Sequence, residues 1–112
     1  MPNVTRATTP GILLTIADFD ASAMNVYVTI SQGANRQVTL TGDRLEVQVE
    51  QAEGGYTTAI EFRLTQQETL KLGTGAAEVQ VRFINEDGLA LATEIGKVSV
   101  NPILYEKVIK YE

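Results

Sequence analysis

Apolar and polar residues alternate with a period of two along almost the whole chain. A strand sends successive side chains to opposite faces, so this pattern describes sheets with one buried and one wet face. In NVYVTIS, Val26, Val28 and Ile30 share one side, and Tyr27 and Thr29 the other. RQVTLT adds Val38 and Leu40, and LEVQVE sets Leu45, Val47 and Val49 against Glu46, Gln48 and Glu50. TAIEFRL opposes Ile60, Phe62 and Leu64 to Glu61 and Arg63, and AEVQVRF opposes Val79, Val81 and Phe83 to Glu78, Gln80 and Arg82. GILLTIA, Gly11 to Ala17, is apolar and β-branched and reads as the first strand. Turn residues separate these runs: Gly33-Ala34-Asn35, Gly42-Asp43, a loop at QAEGGYT, and a hairpin turn at Asn85–Gly88. The final run, LALATEIGKVSV, changes parity: Leu89, Leu91 and Ile95 lie on one side, Val98 and Val100 on the other. A β-bulge at Gly96-Lys97 would absorb the extra residue and keep the apolar face inward.

About seven short strands joined by tight turns, with a polar outer face, point to an antiparallel sandwich or barrel and away from a parallel sheet covered by helices. The length of 112 residues fits one domain. The expected division is a flexible N-terminal arm over 1–10, a β-sandwich over 11–101 and a C-terminal tail over 102–112. One stretch interrupts the strands. Thr65-Gln66-Gln67-Glu68 has the form of a capping box, which predicts a helical turn over Gln66–Leu70 ended by Gly73 or Gly75. Leu70 and Leu72 would then plug the open end of the core. A single capped turn suits the place where a two-layer chain leaves one sheet for the other, here between the fifth and sixth strands.

The chemistry is constrained by what is missing. The chain has no histidine and no cysteine. That removes the usual general base, serine–histidine triads, thiolate chemistry, disulfides and most zinc sites. Ser22, Ser31 and Ser99 have no elbow motif around them. Glu46, Glu50, Glu61 and Glu78 are carboxylates on expected outer strand faces, which suits a solvated surface better than acid–base work. Asp18 and Asp20, and Asn85-Glu86-Asp87, offer oxygen ligands without the spacing of a calcium loop, and read as turn residues. No catalytic residue, cofactor or metal ligand is therefore assigned. The net charge of −5, from 14 acidic and 9 basic residues, leaves no basic stripe for nucleic acid. No apolar run is long enough to span a membrane, and MPNVTRATTP lacks the layout of a signal peptide.

Binding surfaces are then the remaining candidates. Tyr27 on a strand and Tyr56 after Gly54-Gly55 are thin material for a glycan platform. The tail VNPILYEKVIKYE is richer. Pro102 cannot donate to a ladder and ends the last strand or places it at an edge. Beyond it Leu104, Val108 and Tyr111 fall at helical spacing, with Ile103, Tyr105 and Ile109 as further apolar groups. Such a segment either folds back on its own domain or docks on a neighbour, and these six residues are the candidate partner-binding set.

The phrases TTPGILLTI, VYVTISQGANRQVTLTGDRLEV and LTQQETLKLGTGAAEVQVRFINEDGLALATEIGKVSV carry a resemblance. They look like those of small proteins encoded among the structural genes of phages and prophages of Gram-positive bacteria. The strand–LTQQETLKL–strand layout is similar to the immunoglobulin-like N-terminal domain of siphophage baseplate upper proteins. The likeness runs from about Thr8 to Val100, and its most specific part is the capped turn followed by G-x-A-x-V-Q-V-R. It implies an all-β, immunoglobulin-like sandwich serving as a virion component of tail, neck or baseplate. Its partners would be other virion proteins, copies of itself included, with no nucleic acid or membrane. Its location would be the virion, and the host cytoplasm during assembly. The resemblance brings no active-site residues. The cysteine pair, buried tryptophan and tyrosine corner of antibody domains are absent from the sequence. The alternative expectation is a bacterial immunoglobulin-like module that holds a glycan or surface protein through Tyr56 and the loops at one end.

Overall fold

A computed structural model describes residues 3–33 and 35–111. Nine strands lie among them: β1 (Asn3–Thr5), β2 (Gly11–Ala17), β3 (Asn25–Ser31), β4 (Gln37–Thr41), β5 (Leu45–Ala52), β6 (Gly55–Arg63), β7 (Gly75–Ile84), β8 (Ala90–Ala92) and β9 (Gly96–Asn101). One helix, α1 (Gln66–Lys71), joins β6 to β7. The first sheet has the order β1-β9-β7-β3-β4, with β8 also pairing β7, and the second has the order β2-β6-β5. The two sheets form a β-sandwich, and the orders β2-β6-β5 and β9-β7-β3-β4 are those of strands B-E-D and G-F-C-C′ in variable-type immunoglobulin domains.

The alternating residues meet between the sheets, as period-two burial requires. Val26, Val28, Ile30, Val38, Leu40, Val81, Phe83, Val98 and Val100 come from one layer, and Ile12, Ile60, Phe62 and Leu64 from the other or its end. Leu45, Val47 and Val79 are partly buried against this core. The Phe19 and Phe83 rings lie with centroids 4.6 Å apart, tilted by 53°.

The helical turn lies at one of the places where the chain changes layer, from β6 to β7. The Thr65 hydroxyl accepts from the Glu68 backbone N–H at 3.1 Å, and the Glu68 carboxylate accepts from the Thr65 N–H at 2.8 Å, so the capping box is complete. Leu72 is fully buried and closes the core, while Leu70 is half-buried. Neither glycine ends the helix. Leu72 itself turns extended, at φ −91° and ψ 137°, and its N–H donates to the Thr69 carbonyl. Gly75, at φ +123°, instead opens β7.

The N-terminal arm is not loose where it is described. Asn3–Thr5 pair with Ser99–Asn101 of β9, and Val4, only 2% exposed, enters the core beside Val100. Among the described residues this is the one parallel pair, in a sandwich expected to be antiparallel. A single core valine and a free edge on β9 suffice to order the arm, and three residues are too few to show a period. Met1 and Pro2 lie outside the described residues, as does Ala34 in the expected Gly33–Asn35 turn. The QAEGGYT loop shrinks to a two-residue turn at Glu53-Gly54, because Gly54 and Gly55 take φ of +97° and +151°.

The last run of the sequence forms two strands, not one with a bulge at Gly96-Lys97. β8 pairs Ala92 with Arg82, whereas β9 pairs Gly96 with Val79, so one extra residue lies within Thr93–Ile95. Val98 and Val100 are buried as expected, but Leu89, Leu91 and Ile95 are exposed. The Asn85–Gly88 hairpin forms as read: Asn85 Oδ1 accepts from Asp87 N and Leu89 N, and Gly88 sits at φ +84°.

A candidate docking surface

The tail leaves β9 at Asn101 and crosses the end of the sandwich that carries α1. No helix forms over 102–111 among the described residues. The reason is local. Gln66 Nε2 donates to the Ile109 carbonyl at 3.0 Å, and Gln66 Oε1 accepts from the Ile109 N–H at 2.8 Å. Both backbone groups of Ile109 are thus taken by a side chain, and in a helix its N–H would have to serve Tyr105. A second anchor joins the Arg6 guanidinium to the Glu106 carboxylate. Arg6 is itself fixed, because its Nε donates to the Leu72 carbonyl at 2.7 Å and Nη2 to the Leu70 carbonyl at 3.3 Å. These are carbonyls at the C-terminal end of α1, where a cation is favourable.

The structure thus holds the six candidate residues on one irregular segment, bent at Leu104, Tyr105 and Lys107, but does not bury them. Leu104 and Tyr111 are fully exposed, Tyr105 and Ile109 largely so, and Ile103 is half-buried. Val108, also exposed, lines a cavity of about 380 Å³ with Thr9, Leu64, Thr65 and Gln66. The segment is tied to its domain through polar groups and leaves most of its apolar surface in water. Sequence reasoning did not anticipate the anchors. Gln66 reads as an ordinary first-turn residue, and nothing around Arg6 signals a partner 100 positions away.

The other candidates do not converge. Tyr27 belongs to β3 and Tyr56 to β6, on different sheets, so they form no common platform. Glu46 and Glu61 face each other across β5 and β6 on an exposed surface, Glu50 faces Thr57, and Glu78 faces Lys97. Asp20 accepts from the Ser22 N–H at 2.9 Å, and its hydrogen bonds to Ser22 hold its carboxyl below the usual range. Asp18 sits at φ +56° just after β2, so both residues serve the turn. Among the described residues no group of three or more acidic side chains is placed to hold a metal ion. Nor among them is any helix long and apolar enough to cross a membrane. No family model matches the chain, and no curated protein matches it.

Proposed function

We propose that this chain is a non-enzymatic assembly subunit of a phage or prophage virion, in its tail, neck or baseplate. The observation that carries the reading is the apolar segment Ile103–Tyr111, held outside the core by the polar anchors Gln66 and Arg6. A run of isoleucine, leucine, valine and tyrosine kept in water is unfavourable for an isolated domain and favourable for one that docks. The resemblance of the chain's phrases to those of small phage structural proteins, and a β-sandwich whose sequence has no histidine or cysteine, support the same role. Fold alone does not choose a function, so the weight rests on the tail. Partners are other virion proteins, including further copies of this chain, and the acidic surface does not favour nucleic acid.

Deleting Pro102–Glu112 tests this. The expected result is a folded domain, by circular dichroism, that has lost the oligomers the full chain shows in light scattering. Unfolding of the shortened chain would assign the tail to its own core. Mass spectrometry of purified particles, from a strain that carries the gene, is expected to find the chain. Particles complete without it would overturn the virion role.

A further inference from the structure

We infer that the C-terminal segment of one copy adds as an extra strand to the open edge of β2 in a second copy, its apolar side chains filling the groove between β2 and β8. This rests on the assembly role proposed above and names the receiving surface.

β2 pairs only with β6 among the described residues. The constant-type arrangement places a further strand beside this one, and here β1 has gone to β9 instead. The phase of the ladder follows from the Leu64 N–H, which donates to the Pro10 carbonyl at 3.1 Å. Antiparallel pairs alternate, so Ile12, Leu14 and Ile16 bond β6. The N–H and C=O groups of Gly11, Leu13, Thr15 and Ala17 therefore point outward from the sheet, and among the described residues no other backbone group meets them.

Proteins usually guard such an edge by brevity or charge. β1 and β8 have three residues each, β4 has five, and β5 carries Glu46 and Glu50. β2 has seven residues, none charged, and Leu13 is 63% exposed on it. Beside it runs an apolar groove of about 520 Å³ lined by Ile16, Phe19, Phe83 and Leu91. The groove explains why Leu91 is exposed although it pairs with core Phe83: it faces a space that no described residue fills.

The occupant must bring free backbone groups, apolar side chains and positive charge, because Glu94 lines the groove and Asp18 and Asp20 follow β2. The segment Ile103–Tyr111 brings all three, since among the described residues only the backbone of Ile109 is engaged, by Gln66, and the backbone groups on either side of it are left for an edge. It is apolar and belongs to no helix or strand of its own, so it is free to become extended on docking, and it carries the exposed Lys107 and Lys110, while its one acid in that span, Glu106, is already engaged by Arg6. Strand addition takes affinity from main-chain bonds and specificity from alternate side chains, and the charges set the approach. The tail and the β2 edge are different patches, so the contact is head-to-tail and builds rings or filaments.

Sedimentation of the full chain and two full-length variants tests this. Thr15→Pro removes an outward N–H without touching the β6 ladder, and Ile109→Asp spoils the tail. Each alone is expected to weaken association about tenfold or more. Mixed in equal amounts they are expected to recover a one-to-one complex, because one supplies the tail and the other the edge. If Thr15→Pro fails to fold, Leu13→Lys replaces it with the same expected loss. Association that survives the edge variants but vanishes on deleting the tail overturns the β2 site and leaves the assembly role standing. A mixture that stays monomeric also overturns it. A parent chain monomeric at every concentration rules out self-docking, and its absence from particles as well would overturn the role itself.

Discussion

Glu68 serves two partners with one carboxylate. Oε1 accepts from the Thr65 N–H at 2.8 Å and from Arg44 Nη2 at 2.7 Å, and Oε2 accepts from Arg44 Nη1 at 3.0 Å. The hydrogen-bonded guanidinium of Arg44 holds this carboxyl below its ordinary range, the Thr65 N–H adds to the effect, and burial works against it. A carboxyl lowered by folding stabilises the fold above its unfolded value, and that contribution is lost as pH falls through the folded value. The Arg44 side chain is 43% exposed, so water screens the pair and its contribution is about 0.5–1 kcal/mol. Glutamine keeps the capping acceptor and loses the charge. Glu68→Gln is therefore expected to cost about 0.5–1 kcal/mol in urea unfolding at neutral pH. The difference from the parent should close in acid, where Glu68 is protonated. A constant difference at every pH would mean that the charge pair with Arg44 contributes nothing.

At the scale of elements, the turn after Ala92 shows how one hydroxyl replaces a piece of ladder. The Thr93 N–H donates to the Val81 carbonyl at 2.9 Å, and Thr93 Oγ1 accepts from the Val81 N–H at 3.1 Å while donating to the Glu94 carbonyl at 3.0 Å. The extra residue is thereby accommodated with the N–H of buried Val81 still satisfied. Thr93→Val keeps the shape and removes the acceptor, so it is expected to cost about 1–3 kcal/mol, the penalty of an orphaned buried donor. Thr93→Ser should restore most of it, and equal losses for the two variants in thermal unfolding would remove the hydroxyl from the account. The sequence made the slip itself legible, since Ile95 and Val98 differ in parity. It did not make its place legible, because a glycine is the usual mark of a bulge and here a threonine side chain does the work. The same contrast holds elsewhere. Elements fixed by local chemistry, such as the alternating strands and the Thr65–Glu68 box, could be read in advance. Those fixed by distant partners could not: β1 depends on β9, and the tail's non-helical course depends on Gln66. The six apolar tail residues stand together in the sequence after Pro102, but the helical spacing among them is not realised, and the open edge of β2 depends on β1 pairing with β9 instead.

At the scale of the whole molecule, the first and last strands close the sandwich together. Val4 pairs with Val100, both are buried, and the Arg6 N–H continues the ladder to the Asn101 carbonyl at 3.1 Å. The other edge of β9 is held by β7, which ties the β1–β9 seam to the centre of the larger sheet. Pairing β1 with β9 requires closing nearly the full length of the chain, and contacts of that separation are slow to form. Local hairpins such as β5–β6 and β3–β4 need no such closure and are expected to assemble first. Truncating Val4 to alanine removes two buried methyl groups at the parallel seam and is expected to cost about 2 kcal/mol. If the seam forms after the folding barrier, that loss falls on the unfolding rate, which should rise about thirtyfold while refolding is unchanged. Stopped-flow unfolding and refolding of Val4→Ala in urea read both rates directly. Refolding slowed by a comparable factor would place β1 in the folding nucleus, and the chain ends would then organise the sandwich instead of sealing it.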